Sequence, residues 1–122
     1  MVSARKQTVE RYIDGFRRND HEQILSCLAD DVTWVLHGYK TLEGKEAFDA
    51  EIESDAFEGT PELTLERLIE EGESVVATGG GSVAEQGGRQ LRFAFCEVFT
   101  FSADAVARLD TYHVWLDQPT SA

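Results

Sequence analysis

The chain has 122 residues, and 42% of them are hydrophobic, which predicts a single folded domain over residues 1–122 with a core of its own. Its 23 acidic residues outnumber its 11 basic ones, so the net charge of -12 argues against nucleic acid as a partner. No apolar run is long enough to cross a bilayer, and the start MVSARKQTVE lacks the apolar segment of a signal peptide. We therefore expect a cytoplasmic protein that does not bind membranes.

The first predicted element is a helix from Thr8 to Arg18. Its apolar residues recur at the i, i+3, i+4 and i+7 spacing of one helical face, and these are Val9, Tyr12, Ile13 and Phe16. Asp20 with Gln23 three residues later resembles a capping box, which predicts that a second, short helix begins there.

The next stretch predicts a strand, a loop and a third helix. Val32, Trp34 and Leu36 occupy alternate positions, as one face of a strand requires. Residues 38–44 are predicted to form a loop. Helical spacing returns over residues 45–57, and Gly59 and Pro61 are predicted to end that helix.

Two strands follow, and three consecutive glycines interrupt the second of them. Apolar residues alternate over residues 63–69, a turn is predicted at residues 72–73, and a further strand over residues 74–85. The glycines at 79–81 predict a bulge or a sharp bend, as a strongly curved sheet needs. A phosphate-binding loop would need a helix directly after it, and none is predicted.

Residues 88–115 predict two long neighbouring strands that dominate the core. The first has an aromatic and aliphatic stripe on one face, made of Leu91, Phe93, Phe95, Phe99 and Phe101. Glu97 falls in the middle of this stripe, where a charged carboxylate would lose its hydration. Either the stripe borders a cavity, or Glu97 lies at its rim.

The opposite face of this strand, with Ala94, Cys96 and Val98, is also largely apolar. Helices gathered before an antiparallel meander predict an α+β fold in which the helices cover one face of a curved sheet. The other face then needs a cover of its own, so we expect a homodimer through the outer face of the sheet.

Three segments resemble the nuclear transport factor 2-like superfamily, which includes ketosteroid isomerases, limonene epoxide hydrolases and SnoaL-like polyketide cyclases. VERYIDGFRRNDHEQILSCLADDVTWVLHG resembles the two opening helices and first strand, and EGKEAF the start of the third helix. GRQLRFAFCEVFTF followed by VARLDTYHVW resembles the closing hairpin. The resemblance implies a cone-shaped half-barrel, also called cystatin-like, in which a curved, mostly antiparallel sheet wraps around N-terminal helices.

Only part of the isomerase site carries over. Tyr12 falls where ketosteroid isomerases keep the tyrosine that binds the enolate oxygen, and Glu97 where they keep the protonated acid beside it. Leu36 stands where their catalytic base would be. The Asp-Arg-Asp set of the epoxide hydrolases maps onto Gly80 and Ser82 together with Thr111, which cannot perform that reaction.

Strand alternation and the resemblance together place Glu97 and His113 in the cavity on neighbouring strands. An acid beside an imidazole suits proton transfer, and Tyr12 would donate to a developing oxyanion. Glu97 and His113 could equally form a structural pair, and Tyr12 could be an ordinary core residue. Asp110 and Tyr112 are predicted on the opposite face, although a one-residue register change would exchange the two sets.

The pocket is predicted to bind a small apolar ligand that contains a carbonyl group. Its predicted wall consists of Phe16, Trp34, Leu36, Phe48, Ile52, Thr78, Phe93, Phe95, Leu109 and Thr111. An isomerase or cyclase would move a proton next to that carbonyl, whereas a non-catalytic dimeric module would only bind the ligand or a protein partner. No cofactor or metal is expected, because Cys27 and Cys96 lack a CxxC spacing and no histidine has a second ligand at metal spacing.

Overall fold

The computed structural model describes residues 2–119 and contains three helices and six strands in that range. The helices are α1 (Ala4–Arg17), α2 (His21–Ser26) and α3 (Lys45–Glu51). The strands are β1 (Leu28–Leu36), β2 (Lys40–Glu43), β3 (Phe57–Glu71), β4 (Ser74–Glu85), β5 (Gln90–Ser102) and β6 (Ala105–Trp115). None of the helices in this part of the chain has the length and hydropathy needed to cross a membrane.

Side-chain caps fix where the first two helices begin. The Ser3 hydroxyl accepts a hydrogen bond from the backbone N–H of Lys6, so α1 begins four residues before its predicted start. Asp20 accepts from the backbone N–H of Gln23 at 3.0 Å, which confirms the predicted cap of α2. The apolar residues Val9, Tyr12 and Ile13 of α1 are buried, as the helical spacing predicts.

The six strands form one sheet in the order β2-β1-β6-β5-β4-β3. Strands β3 to β6 form an antiparallel meander, and β1 joins the edge of β6 in parallel. Val9 and Tyr12 of α1 belong to the same buried cluster as Phe99, Phe101 and Leu109 of the sheet. The predicted α+β fold, a curved and mostly antiparallel sheet wrapped around N-terminal helices, is confirmed.

The sequence predictions for residues 38–61 are wrong in two places. The predicted loop at 38–44 contains β2, whose pairing of Leu42 with Trp34 extends the sheet by one edge strand. The third helix ends at Glu51, and Gly59 and Pro61 lie inside β3. Proline is tolerated there because β3 is an edge strand whose register with β4 breaks between residues 58 and 62.

The glycines at 79–81 let β3 cross very close to β4. A Cβ at Gly79 would lie 2.1 Å from the carbonyl oxygen of Thr64, and one at Gly81 would lie 2.0 Å from that of Glu62. The β4–β5 ladder runs through the glycines without a break, whereas the β3–β4 register shifts between Leu65 and residue 67. The predicted irregularity therefore belongs to β3.

A further register shift lies in β6 and decides which side chains face inward. Phe101 pairs with Val106, but the next pair is Thr100 with Arg108, so Ala107 is an extra residue in β6. Beyond this bulge Glu97 lies opposite Thr111. If the pairing next to the β5–β6 turn continued without a bulge, residue 110 would lie opposite Glu97 instead.

Candidate functional site

A cavity of about 400 Å³ lies between α1 and the inner face of the sheet. Ten of the predicted site residues line it, and these are Tyr12, Phe16, Trp34, Leu36, Ile52, Phe93, Phe95, Glu97, Thr111 and His113. Most of the wall is aliphatic or aromatic, and Glu97 and Tyr12 lie at its buried end, 8% and 1% exposed. The stripe on β5 therefore borders a cavity, and Glu97 is not at its rim.

Three predicted wall residues do not line the cavity. Phe48 is fully buried behind Trp34, with the ring centroids 4.0 Å apart, and Leu109 is fully buried in the core across from Phe99. Thr78 pairs with Cys96 on the outer face, because the inward positions of β4 at this level are Val75 and Ala77.

The sequence interpretation missed the part of the wall that β3 supplies. Phe57, Glu58, Pro61 and Leu63 line the cavity, as does Trp115 at the end of β6. The β3 residues were missed because the third helix was predicted to extend to residue 57. Trp115 could have been found, since it continues the alternation of Thr111 and His113.

Glu97 is held by a chain of two hydrogen bonds that starts at Trp34. The Trp34 indole Nε1–H donates to Thr111 Oγ1 at 2.9 Å, and Thr111 Oγ1 donates to Glu97 Oε2 at 2.7 Å. Burial raises the pKa of the Glu97 carboxyl to about 7, although the hydrogen bond from Thr111 lowers it. The carboxyl can therefore take up or release a proton near neutral pH.

The chain of hydrogen bonds also fixes where that proton lies. An indole N–H can only donate, so Thr111 Oγ1 accepts from Trp34 and keeps its own hydrogen for Glu97. Glu97 Oε2 is thus an acceptor whether or not the carboxyl is protonated. The titrating proton belongs on Oε1, the oxygen that makes no hydrogen bond within residues 2–119.

Tyr12 offers a hydroxyl group that has no hydrogen-bond partner among the described residues. Its ring is fixed by edge contacts with Phe48 and Phe99, with centroids 6.2 and 5.2 Å apart. Burial, and then the charge of Glu97, raise the pKa of Tyr12 well above its ordinary value. The hydroxyl therefore keeps its hydrogen and remains available as a donor at the buried end of the cavity.

His113 lies at the exposed end of the cavity and does not pair with Glu97. It stands opposite Phe95 on β5, and its ring packs on Phe93 and Trp115, with centroids 4.7 and 4.5 Å away. Burial of the packed ring lowers the pKa of His113, so the imidazole is neutral near pH 7. The expected pair of Glu97 and His113 does not form, because Thr111 lies opposite Glu97 and donates a hydrogen bond to it, whereas His113 lies two residues further along β6, opposite Phe95.

The remaining histidines lie outside the cavity. His21 contacts Asp49 and Glu53 between α2 and α3, and His37 contacts Asp110 on the outer face. Within residues 2–119 no group of three or more histidine, cysteine or acidic side chains could hold a metal ion. Both cysteines are free thiols in the structure.

The outer face of the sheet carries the apolar residues on which the predicted homodimer depends. Ala94, Cys96 and Val98 are half-buried there, and Tyr112 and Val114 are 45% and 58% exposed. Asp110 and Tyr112 lie on this face, as strand alternation predicts. The homodimer itself stays a prediction.

Comparison with known proteins agrees with this geometry. The SnoaL-like domain family matches residues 9–109. An NTF2-like protein of unknown function from Burkholderia pseudomallei is 25% identical, with a TM-score of 0.79 over 91% of each chain. TerC, crystallised with polyporic acid, is 24% identical, with a TM-score of 0.80 over 90% of this chain and 91% of its own.

More distant structures share the fold alone. An epoxide hydrolase of the LEH-like type from M. tuberculosis is 16% identical, with a TM-score of 0.79 over 90% of this chain and 82% of its own. No curated protein matches the chain. The family match and the Burkholderia pseudomallei structure confirm the resemblance to the nuclear transport factor 2-like superfamily.

Proposed function

The chain belongs to the SnoaL-like domain family, and we propose that its cavity binds a small, mostly apolar carbonyl compound and that Glu97 moves a proton next to the carbonyl group. One observation carries this proposal. A buried carboxyl with a pKa of about 7 lines an apolar cavity together with a tyrosine hydroxyl that has no partner in the described protein. A pKa near the working pH is what an efficient general acid and base needs.

The cavity suits a ligand of limited size and polarity. Its volume of about 400 Å³ is in the range of small-molecule sites, and Phe16, Phe93 and Phe95 supply broad apolar surfaces. TerC, solved with polyporic acid, supports small-molecule binding by this fold. The carbonyl oxygen would accept a hydrogen bond from the Tyr12 hydroxyl, which lies at the buried end and has no partner within residues 2–119.

The proposed step is a proton transfer through an enolate. Glu97 Oε1, as a carboxylate, takes the proton from the carbon next to the carbonyl. The electron pair of that C–H bond forms the C=C bond of the enolate, and Tyr12 donates to the enolate oxygen. The protonated carboxyl then returns the proton to the same carbon or to a conjugated one, so the enzyme ends in its starting state.

The hydrogen bonds from Trp34 and Thr111 would position the reacting oxygen. They hold Oε2 as an acceptor, which leaves Oε1 for the substrate. We assign His113 to the wall at the exposed end, since Phe95 and not Glu97 lies across from it. Leu36 supports the same division of roles, because the catalytic base expected at this position from the resemblance is an apolar wall residue here, which leaves Glu97 as the carboxyl group of the cavity's buried end.

Leu36 also favours a second candidate function, which is binding without turnover. A dimeric module of this kind would retain the ligand in the same cavity, and Glu97 and Tyr12 would only donate hydrogen bonds to it. Both candidates predict binding, and proton exchange separates them.

The test is deuterium exchange next to the carbonyl of a panel of aryl and alicyclic ketones, followed by proton NMR in D₂O. We expect the natural protein to catalyse exchange and Glu97→Gln to lose about 100-fold or more of that rate. Quenching of tryptophan fluorescence should show that the variant still binds. Asp110→Asn is the control, because that carboxyl lies on the outer face and should leave exchange unchanged. Equal exchange by Glu97→Gln would refute proton transfer, and binding without exchange by the natural protein would favour the binding module.

A further inference from the structure

One short segment forms part of the cavity wall between α3 and β3. Residues 52–57 follow the end of α3 and lead into β3, and Ile52, Glu53, Ser54 and Phe57 line the cavity. Glu53 and Ser54 are also exposed, so this part of the wall lies between the cavity and solvent. We call residues 52–57 the strap.

The turn between α1 and α2 holds the strap through polar side chains. Asn19 Nδ2 donates to Glu53 Oε1 at 3.4 Å and to the backbone oxygen of Gly59 at 3.3 Å. The His21 ring contacts Glu53 Oε2 through Nε2, and Asp49 Oδ1 through Nδ1 at 2.6 Å. Both carboxylate oxygens of Glu53 are therefore held by this turn and the start of α2.

The two contacts of His21 require a charged ring. A neutral imidazole carries one N–H and can donate to only one of the two carboxylates, whereas an imidazolium donates to both. The hydrogen bonds to Asp49 and then to Glu53 raise the pKa of His21 above its ordinary value of 6.5. Loss of the proton would therefore leave one of the two carboxylates without its donor.

The other charged groups of these helices do not replace the proton on His21. Glu22 and Glu46 stand on α2 and α3, but both nitrogens of the ring are already occupied by Asp49 and Glu53. The cationic side chains nearest to this cluster along the chain pair elsewhere, and these are Arg18 with Asp14 and Asp20, and Lys45 with Asp30.

We propose that His21 is a pH-sensitive latch, which holds the strap against the cavity as an imidazolium and releases Glu53 when it loses its proton, so that ligands exchange faster. Asp49 keeps its contact because it lies inside α3, whereas Glu53 lies beyond the end of the helix and its side chain is 56% exposed. The latch is closed below the pKa of His21 and opens as the pH rises through that value. The inference rests on the proposed function and deepens it by naming how access to the same cavity is regulated.

The test follows the release of 2-acetylnaphthalene by stopped-flow tryptophan fluorescence at pH 5.5 and pH 9. Trp34 and Trp115 line the cavity and report on the bound ketone. Every protein in the series carries Glu97→Gln, so that titration of Glu97 does not contribute to the pH effect. We expect the dissociation rate constant to rise about threefold between the two pH values, which is the scale of an exposed ion pair.

Two histidines give a matched pair of variants. His21→Gln keeps a donor for one carboxylate and cannot become cationic, so release should be fast at both pH values. His37→Gln is the control, because His37 also contacts a carboxylate, that of Asp110, but lies on the outer face. This variant should keep the rise with pH.

A second readout needs no ligand. NMR titration of the His21 ring should give a pKa above 6.5, and Glu53→Gln should lower that pKa. A release rate that does not change with pH, or a change that survives His21→Gln, would overturn the latch and leave the proposed function standing. If the ketone does not bind, the proposed function fails. A lowered His21 pKa in Glu53→Gln would then still support the latch contact, and an unchanged one would overturn it.

Discussion

The two faces of the sheet carry two carboxyl groups that lie close in the strand ladder and differ in their chemistry. On the inner face, Glu97 pairs across strands with Thr111 and its pKa is raised to about 7 by burial. On the outer face, Asp110 is the residue just before Thr111. Partial burial raises its pKa, but hydrogen bonds from Arg108 and His37 outweigh that effect and hold the pKa below its ordinary value.

The comparison shows that the surroundings, and not the residue type, decide which acid can exchange protons near neutral pH. Asp110 contacts His37 Nε2 at 2.9 Å and Arg108 Nε at 3.0 Å, so its negative charge is balanced. Glu97 receives one neutral hydrogen bond inside an apolar wall. The acid–imidazole pair in this region joins Asp110 to His37 on the outer face, and not Glu97 to His113 as expected from the sequence.

The β6 bulge at Ala107 sets which residue of β6 lies opposite Glu97, so a deletion of a paired residue beyond the bulge should have the largest effect. Deletion of Asp110 would either turn Thr111 outward or, if the bulge were lost, turn Leu109 outward, because a one-residue slip moves side chains to the other face. We expect no cooperative unfolding transition in circular dichroism. Deletion of Ala107 is the control, because it removes only the unpaired residue, keeps Glu97 opposite Thr111 and should leave a cooperative transition. An Asp110 deletion variant that folds with an unchanged Glu97 pKa would contradict this role of the bulge.

The pH dependence of stability should have opposite signs for the two carboxyls. The pKa of Glu97 rises from 4.5 to about 7 on folding, so its contribution is complete below pH 4.5 and is lost as the pH rises through 7. At 1.36 kcal/mol per unit of pKa, the loss is about 3 kcal/mol. The folded pKa of Asp110 is lowered instead, so its contribution is present above 3.8 and is lost as the pH falls.

Urea unfolding at a series of pH values measures this difference. Glu97→Gln should abolish the decline in stability between pH 4.5 and 7, and Asp110→Asn should leave it in place. If the two variants gave the same pH profile, the assignment of the decline to Glu97 would fail.

Thr111→Val is a smaller change that keeps the shape of the side chain. Because the substitution removes the hydrogen bond that lowers the pKa of Glu97, the pKa of this carboxyl should rise above 7. It also leaves the buried Trp34 N–H without its acceptor, which should destabilise the fold by about 1–3 kcal/mol. Tyr112→Phe on the outer face is the control and should leave the pKa unchanged. NMR titration of Glu97 in both variants measures the effect, and a lower pKa in Thr111→Val would contradict it.

Local signals in the sequence predicted much of the fold. The cap at Asp20, the apolar face of α1 and the alternation of β5 each depend on side chains within a few residues, and the structure confirms them. The early end of the third helix and the strand β2 depend on pairing with distant segments. The amino-acid preferences of a short segment do not show which distant segment it will pair with.

The candidate site also contains a contact that local sequence signals could not predict. The position of Glu97 in an apolar stripe predicted its burial, and the resemblance implied Tyr12 beside it. The partner of Glu97 could not be predicted, because one extra residue at Ala107 decides between Asp110 and Thr111. Bulges of this kind leave no clear pattern in a strand whose two faces are both partly apolar.

The most direct test of the central claim is the pKa of the Glu97 side chain in the folded protein, measured by ¹³C NMR titration of the carboxyl carbons. Glu97→Gln identifies the Glu97 signal, and Asp110 serves as an internal reference on the outer face. We predict that Glu97 titrates at about 7 and Asp110 below 3.8. A Glu97 carboxyl that titrates at its ordinary value of 4.5 would contradict the account, because it would show that burial in the cavity does not raise the pKa of this carboxyl toward neutral pH.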